Sequence, residues 1–278
     1  MSIFAVALLI VAAVPITEMR VVYRIPGMDQ VQVRRNLVYR TVGETRLELD
    51  VYSPSAAAGG ARRPVVLLVH GGPVPAGVKP KDWGVFVSYG QMLAASGLTA
   101  VTFNHRFHGP SALADAAGDV AAAVGFVRER ADELGIDRDR IGLWAFSGGG
   151  PFLSAPLRER WPFVRGLVAY YAALDMQVPP PGAASAISDA TRREFSPILY
   201  LAGEKVPPLF VARAGQDNPG LNATIDRFIQ EAAARNAPLE LMTHPTGRHG
   251  FDVLDDDDRS REIIARTLDF LKHHLPRP

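Results

Sequence analysis

Five short apolar runs, each set apart from the next by other chain, constrain this sequence more than any other feature. Residues 65–69 read Val-Val-Leu-Leu-Val, 99–103 Thr-Ala-Val-Thr-Phe and 141–144 Ile-Gly-Leu-Trp. Residues 166–170 and 208–212 continue the series, and a short last strand is expected at 239–242. Runs of this kind have no polar face to offer water, so each must be covered on both sides. Helical patterning falls at 85–95, 111–134, 221–235 and 259–273, where Ile263, Ile264, Leu268 and Leu271 share a face. Strands that alternate with helices predict right-handed crossovers and a mostly parallel, doubly wound α/β sheet. Upstream, 31–38 and 46–52 alternate apolar and polar residues about Gly43 and Glu44, which predicts an N-terminal antiparallel hairpin.

The 278 residues suit one large core, so 21–278 is expected to form one domain. One interval breaks its rhythm. Residues 171–207 contain Pro179, Pro180 and Pro181 and no clear strand, which predicts a small lid-like insertion. Residues 1–20 are expected to form an apolar N-terminal helix or arm, unbroken in its apolar character from 3 to 14. Twelve apolar residues are too few to cross a hydrocarbon core of about 30 Å as a helix, and no basic residue precedes them as in a secretory signal. The stretch either packs on the body or on a second copy in a homo-oligomer, or makes peripheral membrane contact, or is an uncleaved signal.

Thirty basic side chains against 29 acidic ones leave a formal charge of +1, and no nucleic-acid partner is expected. There is no cysteine, which excludes disulfides, thiolate metal sites and a cysteine nucleophile, and fits a cytoplasmic setting.

The run at 141–144 leads straight into Ala145-Phe146-Ser147-Gly148-Gly149-Gly150. Small residues on both sides of a serine let a strand and the following helix approach closely and leave the hydroxyl exposed on a sharp turn. Ser147 is the candidate nucleophile. At the end of 65–69, His70-Gly71-Gly72-Pro73 can turn back and present N–H groups beside it. The N–H of Gly148 is one candidate oxyanion donor. Pro73 has no N–H, so the second is expected from Gly72, with Gly71 or Val74 as alternatives. His70 is expected to pin this loop rather than to act as base.

The base is expected late, at His249 in Gly247-Arg248-His249-Gly250-Phe251, between the last strand and the last helix. His244 is its nearest rival, and His105 and His108 are weaker ones. A zinc pair of His244 and His249 lacks acidic ligands at a supporting spacing, so no metal is expected. Asp217 follows the run at 208–212, on the sheet edge where binding groups collect, and is the candidate acid. Asp175 is the alternative, and Asp252 is read as structural. Asp255, Asp256, Asp257 and Asp258 are expected to cap the last helix. Ser147, Asp217 and His249 occur in the order nucleophile, acid, base, each on its own strand-end loop. Phe146, Phe107, Trp83 and Tyr171 are the candidate substrate-binding side chains.

On these residues the chain resembles the α/β-hydrolases, in the esterase/lipase and dienelactone-hydrolase-like group. The resemblance runs from about residue 35 to 275 and rests on the His70-Gly71-Gly72 loop, Asn104-His105-Arg106, the turn at Ser147, Gly215 with Asp217, and His249-Gly250-Phe251. It implies cofactor-free hydrolysis of carboxylic esters by a serine–histidine–aspartate triad. Ala145 replaces the usual first glycine of the turn, and Pro73 replaces a third loop glycine seen in many relatives. Position 147 holds serine where dienelactone hydrolases have cysteine, so lactone specificity is not carried over. Small to medium esters are the expected substrates. A serine peptidase or amidase is the alternative, as is a non-catalytic binding protein on the same fold, which gives no reason for the three residue types in this order.

Overall fold

The computed structural model describes residues 14–55, 62–178, 187–203 and 205–276. Strand β1 (Gln32–Val42) and β2 (Thr45–Ser53) form the expected hairpin. There follow β3 (Arg63–Val69), helix α1 (Gly84–Ala95), β4 (Thr99–Phe103), α2 (Leu113–Glu129), the short α3 (Ala131–Leu134) and β5 (Ile136–Phe146). The second half holds α4 (Ser154–Arg158), β6 (Val164–Tyr170), α5 (Asp189–Glu194), β7 (Leu209–Ala214), α6 (Pro219–Ala234), β8 (Leu239–His244), α7 (Phe251–Leu254) and α8 (Asp258–His274).

The strands form one sheet in the order β1-β2-β4-β3-β5-β6-β7-β8. β2 runs antiparallel to both its neighbours, and the strands from β4 to β8 are parallel. The period of two along each strand splits the core into two layers. In β3, Val65, Leu67 and Val69 face the layer that α2 closes with Val120, Ala123, Val124 and Val127. Val66 and Leu68 face the other, which α1 closes with Tyr89, Met92 and Leu93, and α8 with Ile263, Ile264 and Leu271. Each such aliphatic side chain, fully withdrawn from water, contributes about 1.5–3 kcal/mol.

The helix expected at 111–134 is interrupted: α2 ends at Glu129, and Arg130 leaves the helical geometry before α3. β5 is longer than its apolar run, because Asp137, Arg138, Asp139 and Arg140 extend the backbone outside the core. Residues 14–20 contain a turn rather than a helix, and lie against α1, where the N–H of Gly84 donates to Thr17 O at 2.7 Å. The apolar residues 3–13 and the triple proline of the insertion lie outside the described residues. The described part of the insertion folds into the body: Phe195 and Leu201 join the α2 layer, and Ile198 N–H donates to Leu174 O.

Candidate active site

Residues after β3, β5, β6 and β8 line one cavity of about 290 Å³. Ser147 is the first residue past β5 and has φ +52°, in the left-handed region. A non-glycine residue held there costs about 1–2 kcal/mol. The surroundings enforce it: Ser147 O accepts from Ala173 N–H, and a short 3-10 turn, Ser147–Leu153, starts at once. The turn can be this sharp because of Gly148. A Cβ on it would lie 2.5 Å from Gly72 O and 3.1 Å from Gly72 N. The β5 turn and the loop after β3 are therefore in backbone contact, and Gly71, Gly72 and Ser147 line the cavity together.

Three histidines hold the loop after β3, and none of them reaches into the cavity. His70 accepts from His105 N–H at Nε2, 3.2 Å away, which makes its Nδ1 the donor to Gly71 O at 2.6 Å. The His105 ring stacks on that of His70 with centroids 3.5 Å apart, and its Nε2 meets His70 O at 3.1 Å. His108 Nδ1 meets Val74 O at 2.8 Å. Burial holds the His70 imidazole down at about 4, and holds His105 well below the usual histidine value. Both rings are neutral at pH 7, as a stacked pair must be. Val74, weighed above as an oxyanion donor, gives its N–H to Phe107 O at 2.9 Å. The glycine pair is what remains for that role on this loop.

His249 sits between β8 and α7, with its Nδ1 2.6 Å from Asp217 Oδ2. Asp217 is nearly buried, and its other oxygen accepts from Asn218 N–H at 2.6 Å. Two backbone bonds stitch the loops that carry this pair: Gly215 N–H to His244 O, and Gln216 N–H to Gly247 O. Gly215 permits the approach, since a Cβ there would come within 2.1 Å of Pro245 O. Arg248 ties the histidine loop down on its other side through its N–H and guanidinium to Asp255.

The rival assignments separate cleanly. His244 is buried, with its Nε2 3.1 Å from both oxygens of Asp257, so it and His249 are held by different carboxylates. Asp257 also caps α8 by accepting from Ser260 N–H. Asp175 is paired with Arg227 at 2.6 Å.

Of the four apolar candidates, Phe146, Trp83 and Tyr171 line the cavity. Phe107 does not. It packs edge-to-face on Phe152 and backs Gly72 from below, so its position in the loop after β4 makes it a support for the oxyanion loop and not a wall of the cavity. Ile16, Val74, Val85, Phe86 and Val253 add to the apolar wall, and of these Ile16, Val85 and Val253 did not stand out in the sequence. From the insertion, only Tyr171 takes part among the described residues. Among the described residues, His249 is the one ionisable side chain in the lining besides the Tyr171 phenol.

Known proteins resemble the chain to different extents. The BD-FAE family model matches residues 49–155, from β2 through the Ser147 turn. A probable isoprenylcysteine α-carbonyl methylesterase of Arabidopsis thaliana is 30% identical over 128 residues, which is 46% of this chain and 25% of that protein. The chain thus spans about a quarter of the length of that relative. Among solved structures, the thermophilic esterase Est2 of the planctomycete Thermogutta terrifontis superposes with a TM-score of 0.70 at 20% identity, over 89% of this chain and 94% of its own. Its butyrate-bound form gives 0.67 at 20% identity, over 91% and 98%, and its form phosphorylated by paraoxon 0.66 at 20% identity, over 90% and 94%. With the strand order, the structural likenesses show the α/β-hydrolase fold, and the matched stretches are those the chain has in common with known esterases.

Proposed function

We propose that the chain is a serine carboxylic ester hydrolase that works through an acyl-enzyme on small to medium esters. The observation that carries this reading is the 2.6 Å bond between His249 Nδ1 and Asp217 Oδ2 at the edge of a cavity that also exposes Ser147. That bond turns the second imidazole nitrogen, Nε2, into the one available for proton transfer. Ser147 Oγ attacks the ester carbonyl carbon and its proton passes to Nε2 of His249. Asp217 compensates the imidazolium that results. The carbonyl oxygen, now an oxyanion, is held by the N–H of Gly148 and one from the Gly71–Gly72 pair. The imidazolium then protonates the departing alkoxide as the C–O bond breaks. Water repeats the sequence on the acyl-enzyme, with His249 as base, and releases the acid.

The lining supports an uncharged, short chain. The volume is near the lower end for small-molecule sites, and its walls are aliphatic and aromatic. Thermogutta esterase 2, on the same fold, has been captured with propionate and with butyrate, and covalently phosphorylated by paraoxon. The same acyl length is the expected occupant here, with Trp83, Phe86 and Val253 among the apolar residues that line the cavity. A p-nitrophenyl ester series from acetate to octanoate, run beside an aminoacyl p-nitroanilide, tests the proposal. Turnover concentrated on the short esters, and abolished in Ser147→Ala, is expected. Preferential cleavage of the anilide, or full esterase activity in a folded Ser147→Ala, contradicts it.

A further inference from the structure

The reaction just described leaves one buried acid beside the site unused. Asp252, on α7, is completely withdrawn from solvent. Its Oδ1 accepts from the Tyr171 hydroxyl at 2.7 Å and its Oδ2 from the Tyr89 hydroxyl at 2.8 Å. Tyr89 belongs to α1 and Tyr171 follows β6, so three elements meet on one carboxyl group. A carboxyl whose two oxygens each accept from a phenol needs no proton of its own. Burial raises the carboxyl above its usual range on balance, with the two phenols and His249 pulling the other way.

Tyr171 connects this acid to the site. Its ring centroid is 4.7 Å from that of His249, with the planes at 58°, and the same ring lines the cavity. Its backbone has φ +37°, and its N–H donates to Ala212 O at 2.8 Å. A tyrosine holds such a conformation only where its surroundings over-determine it. The Asp252 bond at the far end of the side chain is one of those determinants.

We propose that Asp252 is a second carboxylate serving His249: through Tyr171 it positions the imidazole, and through its buried charge it favours the imidazolium that forms when Ser147 gives up its proton. The role is that of a positioning residue, because Tyr171 stands between it and the cavity. It rests on the serine hydrolase reading above. The groups facing His249 are Asp217 from the loop after β7, Tyr171 after β6 and Ser147 after β5. Those around Asp252 are Tyr89 of α1, Tyr170 and Tyr171 at the end of β6, and His249. Asp217 and Asp252 are the two acids in these sets. On this reading, loss of either negative charge disfavours the imidazolium of the reaction.

The test is the pH profile of kcat/KM for p-nitrophenyl butyrate in Asp252→Asn, which keeps the shape and removes the charge. The acid limb is expected to move down by about one pH unit, with kcat reduced about ten-fold and KM nearly unchanged. Asp175→Asn, which removes a buried carboxylate paired with Arg227, is the control and leaves the limb in place. Should Asp252→Asn not fold, Tyr171→Phe decides: it keeps the ring, cuts the tether, and is expected to lower kcat about five-fold at constant KM. An unmoved limb and unchanged kcat in folded Asp252→Asn, or an unchanged kcat in Tyr171→Phe where the first variant does not fold, overturns the proposal. Labelling of the parent protein by a fluorophosphonate separates the two levels. A labelled parent with an unaltered Asp252→Asn overturns this proposal alone, and an unlabelled parent overturns the serine mechanism with it.

Discussion

His249 and Asp217 stand 32 residues apart in the chain and meet at 2.6 Å, because the loops after β7 and β8 are sewn together beneath them. Asp217 is itself held from behind by Asn218 N–H, while Asn218 caps α6 with its side chain. The acid is thus fixed by a helix start, and the imidazole by the acid. Neither side chain can turn away without breaking bonds of the fold.

Asp217→Asn tests this arrangement with little change in shape. The amide still accepts from Asn218 N–H through its oxygen, which leaves its NH2 against Nδ1 of His249 and enforces the wrong tautomer. A fall in kcat of about 10⁴ is expected, with a thermal midpoint close to that of the parent by circular dichroism. Activity within ten-fold of the parent contradicts the assignment.

Gly148→Ala probes the contact between the β5 turn and the loop after β3. The new methyl would lie 2.5 Å from Gly72 O, a backbone atom that cannot swing aside. The two proposed oxyanion donors must move apart, and kcat is expected to drop about 10²–10³-fold, as when one such donor is removed. Steady-state kinetics with saturating ester gives the answer.

The gathering of Ser147, Asp217 and His249 at one end of the sheet was legible in the sequence because each residue is marked locally, by small residues, a buried run and a chain-order rule. The β5 extension was not, since Asp137, Arg138, Asp139 and Arg140 carry charges that read as loop. Phe107 illustrates a second limit. Its strand-end position suggested the cavity, yet the side chain turns under Gly72 toward Phe152, a direction set by packing alone. The Tyr89–Asp252–Tyr171 cluster and the Ile16 wall depend on segments that meet only in three dimensions, and no periodicity marks them.

Trp83 and Phe107 offer a paired test of those placements. Trp83→Ala enlarges the cavity, and the octanoate-to-butyrate ratio of kcat/KM is expected to rise about ten-fold. Phe107→Ala leaves the cavity wall intact but empties a buried site, at a cost of about 3–5 kcal/mol in urea unfolding. The chain-length ratio should stay where it is.

The buried histidines give the fold an acid sensitivity of known sign. Burial holds His70 down at about 4 in the folded chain against 6.5 when exposed, and holds His105 well below the usual histidine value as well. Between those values the unfolded chain binds protons that the folded one refuses, so stability falls as pH drops from 6.5 toward 4. His70 alone contributes on the order of 3 kcal/mol over that interval. Asp252, raised by burial, acts in the opposite direction at its lower end. Denaturant midpoints measured from pH 7 to 4.5 should decline, and a flat profile contradicts neutral burial of the pair.

The central claim is that Ser147 is the activated nucleophile. Intact-protein mass spectrometry after treatment with a fluorophosphonate measures it directly, followed by peptide mapping of the adduct. One stoichiometric adduct on Ser147 is predicted, formed by the parent and absent from Ser147→Ala. An adduct on any other residue, or none on a protein that still hydrolyses esters, contradicts the account.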